Sequence, residues 1–374
     1  MIIFITIPWF LPAYKAGGPI QSIANLVSNY YDDIQYYIFC SNKDLNGELV
    51  KSVTFNEWVF FNNNTKVWYD SGIQTRLNLV KNSIHLKPDV LYAIGLFSWK
   101  YNMLPLLNCQ AKKKILSVRG MLHPGALSQK SFKKKTFLLL FKLSGFIKKI
   151  TFHATDNKEA GFIKAQFGHK AKIYVANNFS KKIIPAPIVL KTIGSLNLIT
   201  IALISPMKNH LLVLKALAIC KGNIVYNIYG PIKDEMYWCH CLKQIELLPA
   251  NIKVNYGGEI APNLIEEKLS ENHVFIMPSK SENFGHALSE ALSAAKPIIT
   301  SNHTPWNYLK EKNAGFNVDT HEVEIASAIT EFINMNNDQY TLFVKGAKEY
   351  VTLKSDLLYT KQQYKTLFSL DEVS

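Results

Sequence analysis

The sequence predicts an α/β protein built from two doubly wound parallel-sheet domains in tandem. Three observations predict it. Short apolar runs alternate with helix-forming stretches through residues 2–175, and the alternation resumes through 196–300; this is the pattern of parallel strands joined by helical crossovers. The alternation is broken at 181–195, where Pro185, Pro187 and Gly194 read as a linker. At 374 residues the chain is long enough for two domains, each burying its own core.

Taken in order, the first strand is expected at 2–7, and its start has neither the basic region nor the small-residue cleavage site of a signal peptide. Lys15-Ala16-Gly17-Gly18-Pro19 follows as a turn and opens a helix at 20–28. Glycines there allow a close approach of backbone to a ligand, but the spacing is not that of a dinucleotide fingerprint and excludes NAD. Further strands are expected at 35–40, 90–94, 114–118, 149–153 and 172–175, with none read between 41 and 88. The second series places strands at 196–203, 224–229, 252–256, 273–277 and 298–300, with helices at 209–220 and 237–247. The tail, 338–370, is rich in helix formers. The expected organisation is an N-terminal domain at 1–180, a linker at 181–195, a C-terminal domain at 196–350 and a final helix at 351–374.

Composition narrows the function. Hydrophobic residues make up 48% and charged residues 19%, which fits a globular chain. The sequence has no run of 18 uncharged apolar residues, so no transmembrane helix is expected. Cys40, Cys109, Cys220, Cys239 and Cys241 are scattered and read as free thiols of a reducing cytoplasm. Cys239-His240-Cys241 lacks zinc-site spacing, and neither a metal nor a cofactor is expected. A net charge of +14 implies an anionic partner. Lysines at 112–114, 130, 133–135, 142 and 148–149 surround Phe137, Phe141, Leu143, Phe146 and Ile147. Two readings of that stretch stay open: a helix lying on anionic lipid, or a core helix with a basic outer face. The aromatics near these lysines fall within an apolar stripe, so nucleic acid is not expected as a partner.

The most informative stretch is Pro278-Ser279-Lys280-Ser281-Glu282-Asn283-Phe284-Gly285, followed by a helical run containing Glu290. A strand precedes it and another follows, which makes a βαβ unit whose loop lies at the carboxyl end of a strand. Glu282 then sits beside a helix N-terminus, where free N–H groups attract phosphate. Glu290, deeper in the helix, can accept hydrogen bonds from a ribose diol.

This motif resembles the E-x7-E signature of the retaining glycosyltransferases of family 4, including a bacterial surface-polysaccharide subgroup. The resemblance covers most of the chain. It implies the GT-B fold, two Rossmann-like domains facing across a cleft, with a first, acceptor-side domain and a second that binds a nucleotide-sugar. It also implies that Glu282 lies near the donor sugar, that Asn283, Phe284 and Gly285 border the diphosphate, and that Glu290 reads the ribose. Gly17 and Gly18 resemble the family's Gly-Gly loop against donor phosphate and acceptor. Ser117-Val118-Arg119-Gly120-Met121-Leu122-His123 resembles a subgroup segment that places Arg119 in the cleft; His123 is a weaker candidate, and His153 is expected to be structural. Ser205-Pro206-Met207-Lys208-Asn209 matches the start of the family's second domain, with Lys208 on the leaving diphosphate. Two positions depart from the pattern: Leu203 stands where the family has Arg, and Ala295 where it usually has Gly.

There is no Asp-x-Asp, the pair that holds a metal on the donor in GT-A enzymes, so a metal-independent hexosyltransferase is implied. The resemblance and the basic apolar stripe together imply a glycan or lipid-linked acceptor, polysaccharide or lipopolysaccharide biosynthesis, and a cytoplasmic enzyme peripheral on the inner face of the plasma membrane. Two other readings stay open. A nucleotide-sugar epimerase of the same architecture would need additional acid/base carboxylates. A catalytically weak nucleotide-sugar binding protein would suit Leu203.

Overall fold

The computed structural model describes residues 1–30, 33–51, 53–128, 131–181 and 189–370, and the chain divides into two compact units. Residues from Met1 to Phe179 and from Leu357 onward form the first, and Ser180–Asp356 the second. Residues 182–188 of the expected linker lie outside the described residues. From 189 to 195 the chain lies on the second unit, where Lys191 Nζ donates to the carbonyls of Thr192, Ile333 and Met335 at 2.8, 3.2 and 3.3 Å.

The first unit contains strands β1 (Ile2–Thr6), β2 (Gln35–Ser41), β3 (Trp58–Asn62), β4 (Thr65–Asp70), β5 (Val90–Ile94), β6 (Lys113–Ser117), β7 (Thr151–Ala154) and β8 (Lys172–Val175). They form one sheet in the order β3-β4-β2-β1-β5-β6-β7-β8. Only the β3–β4 pair is antiparallel. The central strands are apolar without interruption because helices cover both faces. Ile3 and Ile5 enter the core that holds the helices Gly18–Asn29 and Leu357–Phe368. Phe4, pointing the other way, enters the core beneath Thr75–Leu86, Ser131–Leu143 and Asn157–Phe167. Tyr364, Leu367 and Phe368 of the last helix are fully buried in the first core.

The second unit contains β9 (Ser195–Ile201), β10 (Asn223–Tyr229), β11 (Ile252–Tyr256), β12 (Val274–Met277), β13 (Ile298–Ser301) and β14 (Gly315–Val318). The order is β11-β10-β9-β12-β13-β14, and all neighbours are parallel. The helix Asn337–Lys354 opens with a capping box at Asn336 and Gln339. It carries Tyr350 and Val351 into the core of this unit, so residues 351–356 lie with the second unit, and the chain changes units after Asp356.

Strand order sets where a ligand can bind. In each sheet the order reverses once near the middle, between β1 and β5 in the first unit and between β9 and β12 in the second. Loops leaving the two strands at such a point diverge to opposite faces and open a crevice at the strands' carboxyl ends.

Candidate active site

At the crevice of the second sheet, the loop 202–209 leaves β9 and the loop 278–285 leaves β12. Backbone and side-chain bonds tie them together. Lys280 N donates to Met207 O at 2.9 Å and Asn209 Nδ2 to Pro278 O at 3.1 Å, while Glu282 N holds the second loop to His303 O, just after β13, at 3.2 Å. Asn209 takes a left-handed conformation, φ 67°, which asparagine tolerates better than most residues. This brings Lys208 Nζ onto Glu282 Oε1 as an ion pair with both side chains largely buried, 22% and 12% exposed. Partial desolvation makes such a pair stronger than a surface one and poises both groups for an incoming ligand.

Gly285 begins the helix His286–Ser293 with φ 72° and no side-chain cap, so the helix presents backbone donors and its positive dipole end at the crevice. A Cβ on Gly285 would lie 3.0 Å from Leu288 Cδ1 and 3.6 Å from Glu282 Cγ, so backbone and carboxylate are immediate neighbours. Trp306, 2% exposed, fixes the preceding peptide by donating Nε1–H to Phe284 O at 2.6 Å. Further along this helix, Ser289 Oγ bonds Ser180 Oγ at 3.1 Å, and Ser180 Oγ lies 2.7 Å from Ser355 Oγ. Glu290 is 7% exposed. Burial pushes its carboxyl up to about 7, with Lys181 opposing the shift and Glu266 adding to it.

His210, beside Lys208, is 1% exposed with no partner for either ring nitrogen, and burial followed by the Lys208 charge holds it neutral, its pKa down to about 3. The neighbouring strand β10 is followed by Gly230, φ 138°, where a Cβ would sit 1.9 Å from Ala202 O. Gly230→Ala must therefore push the β9 loop aside. A loss of about 3 kcal/mol or more is expected from overpacking and a disfavoured φ together, read as a lower urea midpoint. An unchanged midpoint would show that this loop is not so constrained.

In the first unit, Gly17 has φ 72° and opens the uncapped helix Gly18–Asn29 at the carboxyl end of β1. Arg119 follows β6 with φ 50°. Its guanidinium is braced within the unit: Nη1 donates to Asn178 Oδ1 and Nη2 to Tyr92 Oη at 2.9 Å, while Nε is buried without a partner. His153 Nε2 donates to Ala176 O at 2.9 Å, leaving Nδ1 to accept from Tyr92 Oη and Ser117 Oγ at 2.7 and 2.9 Å. Burial, then Arg119, holds this histidine neutral, its pKa down to about 3. His123 Nδ1 accepts from Gly125 N at 3.1 Å and meets Phe162 edge-on. Among the described residues, no group of three or more His, Cys, Asp or Glu is placed to hold a metal ion.

The structure thus brings Lys208, Glu282, Asn283, Phe284 and Gly285 to one crevice of the second unit, with Glu290 buried within the helix that Gly285 opens. Gly17, Gly18 and Arg119 lie at strand carboxyl ends of the first. Sequence reasoning gave no role to Asn209, Trp306 or His303, which hold the crevice in shape. Asn209 could have been suspected from its place beside Lys208; the backbone contact of His303 has no sequence signal.

Two doubly wound, Rossmann-like domains in this order define the GT-B fold, and the chain has it. Residues 193–350, the second unit almost entire, match the family model described as Glycosyl transferases group 1. Solved structures similar over nearly the whole chain include sucrose-phosphate synthase from Thermosynechococcus elongatus, with TM-score 0.70, 14% identity and 99% of each chain covered. A second is Anabaena HepE in complex with UDP and glucose, with TM-score 0.68, 15% identity, and 98% of this chain and 99% of that one covered. A third is a mutant of TarM from S. aureus in complex with Fondaparinux, alpha-GlcNAc-glycerol and UDP, with TM-score 0.71, 14% identity, and 98% and 99% covered. At these identities the likeness shows the fold alone. No curated protein matches the chain.

Proposed function

We propose that the protein is a retaining glycosyltransferase that moves a hexose from a nucleoside-diphosphate sugar to a hydroxyl of a lipid-linked or polysaccharide glycan. One observation carries this reading: the Lys208–Glu282 ion pair lies at the carboxyl ends of β9 and β12, against an uncapped helix N-terminus. The diphosphate would lie on the Phe284–Gly285 backbone and the first turn of that helix, where dipole and N–H groups favour it. Lys208 would turn from Glu282 to the phosphate, releasing the carboxylate to hold the sugar hydroxyls. Glu290 would accept both ribose hydroxyls.

In transfer, the bond from the anomeric carbon to the phosphate oxygen breaks and its electron pair stays on the diphosphate. Lys208 and the helix amides stabilise that charge as it develops. The acceptor oxygen bonds the anomeric carbon from the same face, and its proton passes to the departing phosphate oxygen. Configuration is thereby retained. Gly17, Gly18 and Arg119 would serve the acceptor side, Arg119 as a positioning residue, because its guanidinium already holds Asn178 and Tyr92. A lipid-linked acceptor would bring the enzyme to the cytoplasmic face of a membrane.

The test is a panel of nucleotide-sugars, UDP-hexoses first, each incubated with and without a lipid-linked oligosaccharide extract. One donor should release nucleoside diphosphate only with acceptor, and proton NMR should show the product with the donor's anomeric configuration. Conversion of the donor to its epimer without acceptor would replace this reading with an epimerase. Because Lys208 and the helix end supply the positive charge, activity is expected to survive EDTA. Complete loss restored by Mn²⁺ or Mg²⁺ would contradict that part.

A further inference from the structure

The net charge of this chain is carried by one part of it. Residues 71–150 hold fifteen Lys and Arg against a single acid, Asp89, for a net of +14, and the rest of the chain balances at twenty-seven of each sign. Asp89 is itself paired with Lys112 at 2.7 Å. In the fold, the helices of this stretch cover one face of the first sheet, where Leu79, Leu106, Leu138 and Phe141 share a core with Phe4 and Phe152.

The helix Ser131–Leu143 is apolar on two sides. Inward, Phe137 meets Phe97 at 5.4 Å and Phe141 meets Phe167 at 5.6 Å between ring centroids. Outward, Phe132, Leu139, Leu140 and Leu143 are 82%, 58%, 62% and 74% exposed. Spacings of three, four and seven put these four on a single helix face. The exposed Lys133, Lys135 and Lys142 flank them. Trp99, 61% exposed, lies after β5 at the carboxyl edge of the sheet, the edge that also carries the Gly17 and Arg119 loops. The helix is therefore a core helix and an exposed apolar ridge at once.

We infer that this helical layer is a docking surface for an anionic lipid bilayer, and that it presents the acceptor-side loops to lipid headgroups. Aliphatic side chains rimmed by lysines, with hardly an acid among them, match a surface that is apolar below and negative above. Protein interfaces are depleted in lysine, and a nucleic acid would use the cations but not the leucines. The inference deepens the reading of a lipid-linked acceptor, yet its test needs no sugar transfer.

The experiment is co-sedimentation of the full chain with vesicles of phosphatidylcholine alone, or with a third phosphatidylglycerol, at low and high salt. Binding is expected only to the anionic vesicles and should weaken with salt. The triple variant Lys133→Gln, Lys135→Gln, Lys142→Gln should lose roughly a hundredfold in partitioning. Leu139→Ser with Leu143→Ser should lose roughly tenfold or more with its circular dichroism unchanged, since both positions are exposed. Equal binding to neutral vesicles, no binding to either, or variants indistinguishable from the parent would overturn the inference. So would a lipid-free dimer abolished by the leucine changes, or oligonucleotide binding as strong as vesicle binding. Thermal stabilisation by nucleoside diphosphates in the same preparations reports on the sugar-transfer reading separately.

Discussion

Lys208→Ala is expected to lower turnover by about a hundredfold or more with the fold preserved. A preorganised group aimed at developing charge in a partly dry site contributes roughly 3–4 kcal/mol to the transition state. Two features of this site raise the effect. The substitution leaves Glu282, 12% exposed, as an unpaired carboxylate facing the diphosphate. His210 cannot take over the positive charge, because burial, the larger cause of its lowered pKa, remains after the substitution. The double variant Lys208→Ala, Glu282→Gln should therefore recover part of the lost donor affinity by removing the repulsion, without recovering turnover. Donor dissociation constants and single-turnover rates for the parent, Lys208→Ala, Glu282→Gln and the double variant form a cycle that reads this coupling. Full activity in Lys208→Ala would remove the lysine from the mechanism.

The second large effect is a trade of stability against donor binding at Glu290. In the folded chain burial raises this carboxyl from its ordinary 4.5 to about 7. Between those values the native state holds a proton that the unfolded chain has released, so stability falls as pH rises through the window. Above about pH 7 the ionised buried group costs about 3 kcal/mol. Glu290→Gln removes that cost. It should stabilise the protein by up to this amount at pH 8, progressively less toward pH 5, and not at all below the unfolded value. The same variant should bind donor at least tenfold more weakly, since an amide offers the ribose diol one acceptor oxygen and no charge. In the parent, donor binding favours the carboxylate, so affinity should fall by up to tenfold per pH unit below about 7 and release a proton there. Denaturant midpoints and calorimetric titrations across pH 5–8 test both halves. A variant no more stable at pH 8 than at pH 5 would mean that Glu290 is not strained by burial.

The βαβ unit around Glu282 and Glu290 was legible because each part has its own signal: an uninterrupted apolar strand, a glycine at the helix start and a helical run between two strands. The pairing of Lys208 with Glu282 was not. They lie 74 residues apart, and only the adjacency of β9 and β12 in the sheet brings them together. The resemblance put both at the donor, but no local pattern carries their contact. Strands β3 and β4 went unread although two aromatic runs, Trp58–Asn62 and Thr65–Asp70, flank an Asn63-Asn64 turn. Their residues pack on each other, Trp58 edge-on to Trp68 at 5.6 Å, so the alternation of one buried and one solvated face is blurred. Strand β14 was missed because it has four residues and opens on Gly315, where a Cβ would sit 1.8 Å from Ile298 O. The two readings of the lysine-rich helix could not be separated in sequence, since both predict the same apolar stripe. Exposure of Phe132, Leu139, Leu140 and Leu143 distinguishes its faces.

The central claim is that Lys208, Glu282 and Glu290 form a nucleoside-diphosphate site. Isothermal titration of the full chain with UDP, GDP, ADP, CDP and dTDP tests it most directly, with Lys208→Ala and Glu290→Gln in parallel. One nucleotide is expected to bind the parent, tenfold or more weakly to each variant, with binding unaffected by EDTA. Binding of none of the five, or equal binding to the parent and both variants, would contradict the account.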